Sequence, residues 1–122
     1  MLVTYPLTYL GIYAIAAIGF LLRIINLGLP KGLIFDEVYY VDGARDLLAY
    51  GVEVDGSSAE FIVHPPIGKW LIAAGIQVFG NDEFGWRIST AIAGVVSIIL
   101  IGLIAQRLFR SRFLTLLATF LA

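Results

Sequence analysis

The chain has 122 residues, of which 60% are hydrophobic and 14% charged, with a formal net charge of −1. Its mean hydropathy of +0.93 lies beyond the range of soluble globular domains and within that of membrane proteins. The near-neutral balance with one basic cluster argues against a nucleic-acid partner, and the absence of cysteine removes disulfides and thiolate metal sites.

Residues 1–22 carry no charge, and as a helix they would reach roughly 33 Å, enough to cross the hydrocarbon core. They lack the basic leader of a secretion signal and exceed its short apolar core, so a transmembrane helix within residues 1–25 is expected. All nine carboxylates follow, between Asp36 and Glu83, in a segment spanning 26–85. That segment has no low-complexity run and no internal repeat, so it is expected to fold rather than to act as a linker.

Within it, residues 36–50 read as an amphipathic helix. Tyr40, Ala44, Leu47 and Leu48 recur at helical spacing, with Asp42, Arg45 and Asp46 opposite. Such a helix is expected to lie in the membrane interface with Tyr39, Tyr40 and Tyr50 at headgroup depth. Gly51 ends it, and positions 52–60 read as a mobile turn region. Pro65 and Pro66 then open a second interfacial helix at about 66–79, too short to span.

Positions 80–85 turn the chain, and 86–106 form the second expected span, entered at Trp86 and Arg87. Arg107, Arg110 and Arg112 in the basic turn 107–112 mark the cytoplasmic side, which puts the loop 26–85 outside and the N-terminus inside. Residues 113–122 are apolar but too few to cross, so they read as the start of a third span cut short. The chain is therefore expected to be the N-terminal part of a larger polytopic protein.

Several residues could carry chemistry, each beside a plainer role. Asp36 and Glu37 follow an apolar approach and precede two tyrosines, a setting for a general base; from the residues alone the plainer reading, an N-cap and a first-turn acid favoured by the helix dipole, stands ahead of it. His64, the single histidine, could donate to a phosphate, position a hydroxyl or fix a loop. Lys69 and Arg87 are cations expected at headgroup level, where a lipid phosphate would lie and where snorkelling would also place them. Arg23 near the outer end of the first span would need a partner if buried among helices, as a functional intramembrane arginine does, or would snorkel. Tyr39, Tyr40, Trp70 and Trp86 suit an interfacial belt or a sugar platform. With one histidine and no cysteine, any metal would fall to carboxylates, which suit Mg²⁺ or Mn²⁺ rather than structural zinc; no metal site is assigned.

The order Phe35-Asp36-Glu37-Val38-Tyr39-Tyr40, then Ala59 through Ile72 with His64-Pro65-Pro66-Ile67-Gly68-Lys69-Trp70 at its centre, then Phe84-Gly85-Trp86-Arg87, resembles the N-terminal region of the protein O-mannosyltransferases, the actinobacterial form in particular. The likeness runs from about Arg23 to Arg112. It implies an all-α polytopic membrane fold of the GT-C type, with two transmembrane helices, an outer loop and the start of a third span. It implies a glycosyltransferase that moves mannose from a polyprenyl phosphate donor to serine or threonine of exported proteins at the cell membrane.

By the same resemblance Asp36 takes the catalytic acidic position with Glu37 beside it. His64 and Lys69 belong to the loop helix approaching the active site, Arg87 is a candidate partner of the donor phosphate, and Tyr40 is a candidate substrate contact. One base acting by direct displacement implies inversion, so a β-linked donor would give an α-linked product. Later spans of the family are missing, so these residues alone are not expected to turn over. A lipid A aminoarabinose transferase or related enzyme is an alternative, though Gly68-Lys69 after the prolines favours the protein mannosyltransferases. A non-catalytic two-span membrane subunit is the other.

Overall fold

The computed structural model describes residues 6–59 and 64–122. The first five positions of the expected first span, and residues 60–63 of the second motif, lie outside the described residues. The element order is α1 (Pro6–Ile24), α2 (Glu37–Tyr50), β1 (Val54–Asp55), β2 (Ser58–Ala59), α3 (Ile67–Phe79), α4 (Glu83–Phe109) and α5 (Arg112–Leu121). Among the described residues the fold is all-α apart from one minimal hairpin. The chain divides into two compact units, Met1–Ile25 with Ala91–Ala122, and Asn26–Thr90.

In the first unit, α1 buries Thr8, Ile12 and Ala16, one turn apart and therefore one stripe of the helix. Around that stripe Leu7, Leu10, Tyr13, Ile18, Leu21 and Leu22 are exposed, as lipid-facing side chains are. α1 packs on α5, whose buried residues are Thr115 and Thr119. These hydroxyls are not left bare: Thr119 Oγ1 donates to Thr115 O at 2.7 Å, and Thr115 Oγ1 lies 2.8 Å from Ser111 O and 3.1 Å from Gln106 Oε1. Satisfying buried hydroxyls on carbonyls of the preceding turn keeps them compatible with an apolar surround.

α1 and α4 are each long and apolar enough to cross a membrane. α4 runs further than the sequence suggests at both ends. Asp82 Oδ1 accepts the Gly85 N–H at 2.9 Å, capping the helix so that Glu83 to Gly85 are its first turn rather than part of a loop. At the other end it continues to Phe109, and the basic turn contracts to Arg110, at φ 51°, and Ser111. At about 1.5 Å per residue α4 is roughly 40 Å long, more than the hydrocarbon thickness.

In the second unit α2 packs on α3, with Val41, Ala44, Ala73, Ile76 and Trp86 forming the core. This corrects the periodicity reading in two ways. The buried face of α2 is centred on Val41, Gly43 and Ala44, so of the expected stripe Ala44 is fully buried, Tyr40 and Leu47 are half-buried and Leu48 is exposed, with Tyr39 and Tyr50, because the helices meet through small residues. Trp86 is 6% exposed and belongs to this core rather than to an interfacial belt, with the Arg45 guanidinium 5.5 Å over its ring. The expected turn region is instead a hairpin with Val54 opposite Ala59 and Asp55 opposite Ser58.

The start of α4 comes against α3 through two glycines. A Cβ at Gly75 would run into the Gly85 carbonyl, whereas one at Gly68 would meet nothing. Gly75→Ala is therefore expected to destabilise by roughly 1–3 kcal/mol, and Gly68→Ala to be neutral or slightly stabilising. Thermal unfolding of the two variants in detergent, side by side with the parent, checks this.

Candidate functional site

The segment from Asn26 to Asp36 has no regular structure, so its backbone groups need partners from elsewhere. Two residues one turn apart on α4 supply them, and they are of opposite charge. Glu83 accepts: its Oε1 takes the Gly32 N–H at 2.7 Å and its Oε2 the Lys31 ammonium at 3.3 Å. Arg87 donates. Its NH1 group reaches Leu27 O at 3.2 Å and Pro30 O at 3.0 Å, and NH2 reaches Gly32 O at 3.2 Å. Its remaining N–H groups form a bidentate pair with Glu37, Nε to Oε1 at 2.7 Å and NH2 to Oε2 at 2.9 Å. A guanidinium has five N–H groups, and all five of Arg87 are used.

That geometry separates the two adjacent acids. Glu37, half-buried, is held by Arg87 and also accepts the Ile34 N–H at 3.1 Å. Asp36 is exposed, its backbone is helical at φ −68° and ψ −11°, and its side chain makes no capping bond. The N-cap role open to Asp36 in the sequence is thus not taken by its carboxylate. Phe35 before it has φ 50° and is 90% exposed, a conformation that bulky residues seldom adopt and that turns the chain sharply into α2.

The Arg87 guanidinium holds the Glu37 carboxyl below its ordinary value of 4.5, aided by the Ile34 N–H and opposed by partial burial. A depressed carboxyl stabilises the fold above the unfolded value, and that contribution is lost as pH falls through the folded value. The Asn26–Thr90 unit should therefore resist proteolysis above pH 4.5 and lose that resistance progressively as the pH falls below it, with Glu37→Gln flattening the dependence. Limited proteolysis across that range is the check.

Tyr40 lies one turn after Asp36 on the same face of α2. The His64 ring stacks against it with centroids 5.0 Å apart and planes tilted by 41°, and His64 is exposed. Asp36, Tyr40 and His64 thus share one side of the unit. Two expected site residues are differently placed. Lys69 does not sit as a free cation at headgroup level: it is 5% exposed and paired with buried Glu53. Arg87 has no N–H left for a donor phosphate. Arg23 belongs to the other unit, where its NH1 donates to Gly19 O at 3.1 Å.

Sequence reasoning overlooked Glu83 and Glu53. The spacing of Glu83 and Arg87, opposite charges four residues apart, was a usable signal once α4 was known to begin early. Nothing in the sequence points from Glu53 to Lys69. Among the described residues there is no cluster of acids and histidine suited to a metal ion.

Fold and site together define a helical membrane protein in which a loop bearing an exposed carboxylate is docked on the head of a long apolar helix. Residues 63–122 match the family described as dolichyl-phosphate-mannose-protein mannosyltransferase. The chain is 40% identical over 100 residues to the polyprenol-phosphate-mannose–protein mannosyltransferase of Mycolicibacterium smegmatis, covering 80% of this chain and 19% of that protein. It is 43% identical over 93 residues to the enzyme of that name from Mycobacterium tuberculosis, covering 73% of this chain and 18% of that one. An undecaprenyl phosphate-alpha-4-amino-4-deoxy-L-arabinose arabinosyl transferase from Pseudomonas savastanoi is 33% identical over 99 residues, covering 79% and 19%. No solved structure matches. The chain belongs to the protein mannosyltransferase family, and it spans about a fifth of the length of these relatives.

Proposed function

We propose that the protein carrying this chain is a multi-pass membrane glycosyltransferase that moves mannose from a polyprenyl phosphate donor to serine or threonine of exported proteins, with Asp36 as general base. The observation that carries the assignment of Asp36 is the division of labour in the acidic pair: Glu37 is consumed by Arg87 and Ile34, while the Asp36 carboxylate, beside it on a pinned segment, makes no capping bond and has no hydrogen-bond partner among the described residues. A hydroxyl keeps its proton at neutral pH and must lose it while attacking the anomeric carbon, so one positioned carboxylate serves. The leaving phosphate needs a donor. With Lys69 and Arg87 engaged, His64 on the Asp36 side of the unit is the candidate this chain offers. The loop 26–85 faces outward in this reading, supported by the arginines after the second span.

Direct displacement by one base inverts the anomeric centre, so a β-linked polyprenyl-phosphate-mannose gives an α-mannosyl product. Membranes containing the native gene product, given that donor and a Ser/Thr-rich peptide, should yield α-linked mannose on the peptide. A β-linked product would contradict the mechanism. The arabinosyl transferase relative favours one second reading, transfer of aminoarabinose to a lipid, and the same membranes supplied with that sugar donor test it.

A further inference from the structure

Glu53 has no part in the reaction proposed above, yet with Lys69 it forms the most deeply buried ion pair among the described residues, their side chains 2% and 6% exposed. A carboxylate and an ammonium so far from water are tolerable only because each is the other's partner. Gly43 of α2 makes room for them: a Cβ there would stand 2.9 Å from Lys69 Cδ and 3.0 Å from Glu53 Oε2 and Lys69 Nζ. The next residue is tied to the same helix, the Val54 N–H donating to Asp46 Oδ2 at 3.1 Å. Lys69 lies in the first turn of α3, five residues after His64, and Pro65 and Pro66 stiffen the connection between them.

We infer that Glu53 is a positioning residue: by holding Lys69 against α2 it fixes the start of α3, and through the two prolines it keeps His64 on Tyr40, on the helix face shared with Asp36. Lys69 in this arrangement touches no substrate. The use made of that position rests on the transferase reading; the position itself does not.

The test compares Lys69→Met, Glu53→Gln and the double variant Glu53→Leu with Lys69→Met in the native gene product. The first readout is independent of activity: the rate of acylation of His64 by diethylpyrocarbonate, followed on its own peptide by mass spectrometry. Lys69→Met strands a buried carboxylate and should change that rate several-fold, and the double variant, with no charge left to strand, should return it to the parent value. The second is transfer per folded molecule. Lys69→Met should lower kcat on the order of 10- to 100-fold with KM for polyprenyl-phosphate-mannose unchanged, Glu53→Gln less, and the double variant should recover most of it. An unaltered His64 rate in Lys69→Met overturns the inference, as does a double variant that restores that rate but keeps a raised KM, which would make Lys69 a donor contact. If the parent transfers nothing, the transferase reading fails and the His64 rates still decide the positioning.

Discussion

Asp36→Asn is expected to lower mannosyl transfer by roughly 10²- to 10⁴-fold, the range that a positioned general base contributes. The substitution keeps size and removes only the ability to take a proton. It leaves the surrounding structure alone, because the Asp36 side chain caps nothing and the Asn26 to Asp36 segment is held by Glu83 and Arg87 instead. Membrane insertion rests on α1 and α4 and should be unchanged. The loss should therefore appear in kcat at normal protein level, read by peptide mannosylation in membranes with expression matched by immunoblot. Transfer retained within tenfold of the parent would remove Asp36 as the base.

Arg87→Lys is the second large effect, and it arises from geometry rather than charge. Five N–H groups in one plane reach Leu27 O, Pro30 O, Gly32 O and both oxygens of Glu37. An ammonium has three donors around a point and cannot reach them all at once. Keeping the charge therefore restores little. Arg87→Lys should destabilise the second unit by roughly 2–4 kcal/mol, discounted from a fully buried pair because Glu37 is partly exposed, and should come close to Arg87→Ala. The segment carrying Asp36 would lose its anchor, so transfer should fall with stability. Thermal unfolding in detergent with transfer on the same preparations checks both, and a fully functional lysine variant would mean that Arg87 acts only as a positive charge.

These expectations depend on features of unequal legibility. The two spans, the interfacial-length helices and the acidic loop were readable because hydrophobic length and periodicity are local properties of the chain. Helix ends were less so: the early start of α4 hangs on one Asp82 cap, and the basic turn shrank because the helix continued through Arg107. The face that α2 buries was read only in part: Ala44 was placed on it, but Val41 and Gly43 were missed and Leu48 wrongly included, because apolar size was taken as the guide whereas helices that meet closely do so through small residues.

In the site, the acidic pair stood out in sequence, but its two members could not be told apart there. What separates Asp36 from Glu37 is an arginine fifty residues away, and what takes Lys69 out of the solvent is a glutamate sixteen residues before it. Such partners are fixed by the way α2, α3 and the head of α4 come together. No spacing rule along the chain carries that information.

The division of roles within the acidic pair is the centre of this account, and the transfer rates of Asp36→Asn and Glu37→Gln, measured together on equal amounts of inserted protein, test it most directly. Asp36→Asn should lose roughly 10²- to 10⁴-fold in transfer at unchanged stability. Glu37→Gln keeps an oxygen for Arg87 and should retain reduced but measurable transfer, with lowered stability. Silent Glu37→Gln at normal stability, with Asp36→Asn still active, would contradict the account and move the base to Glu37.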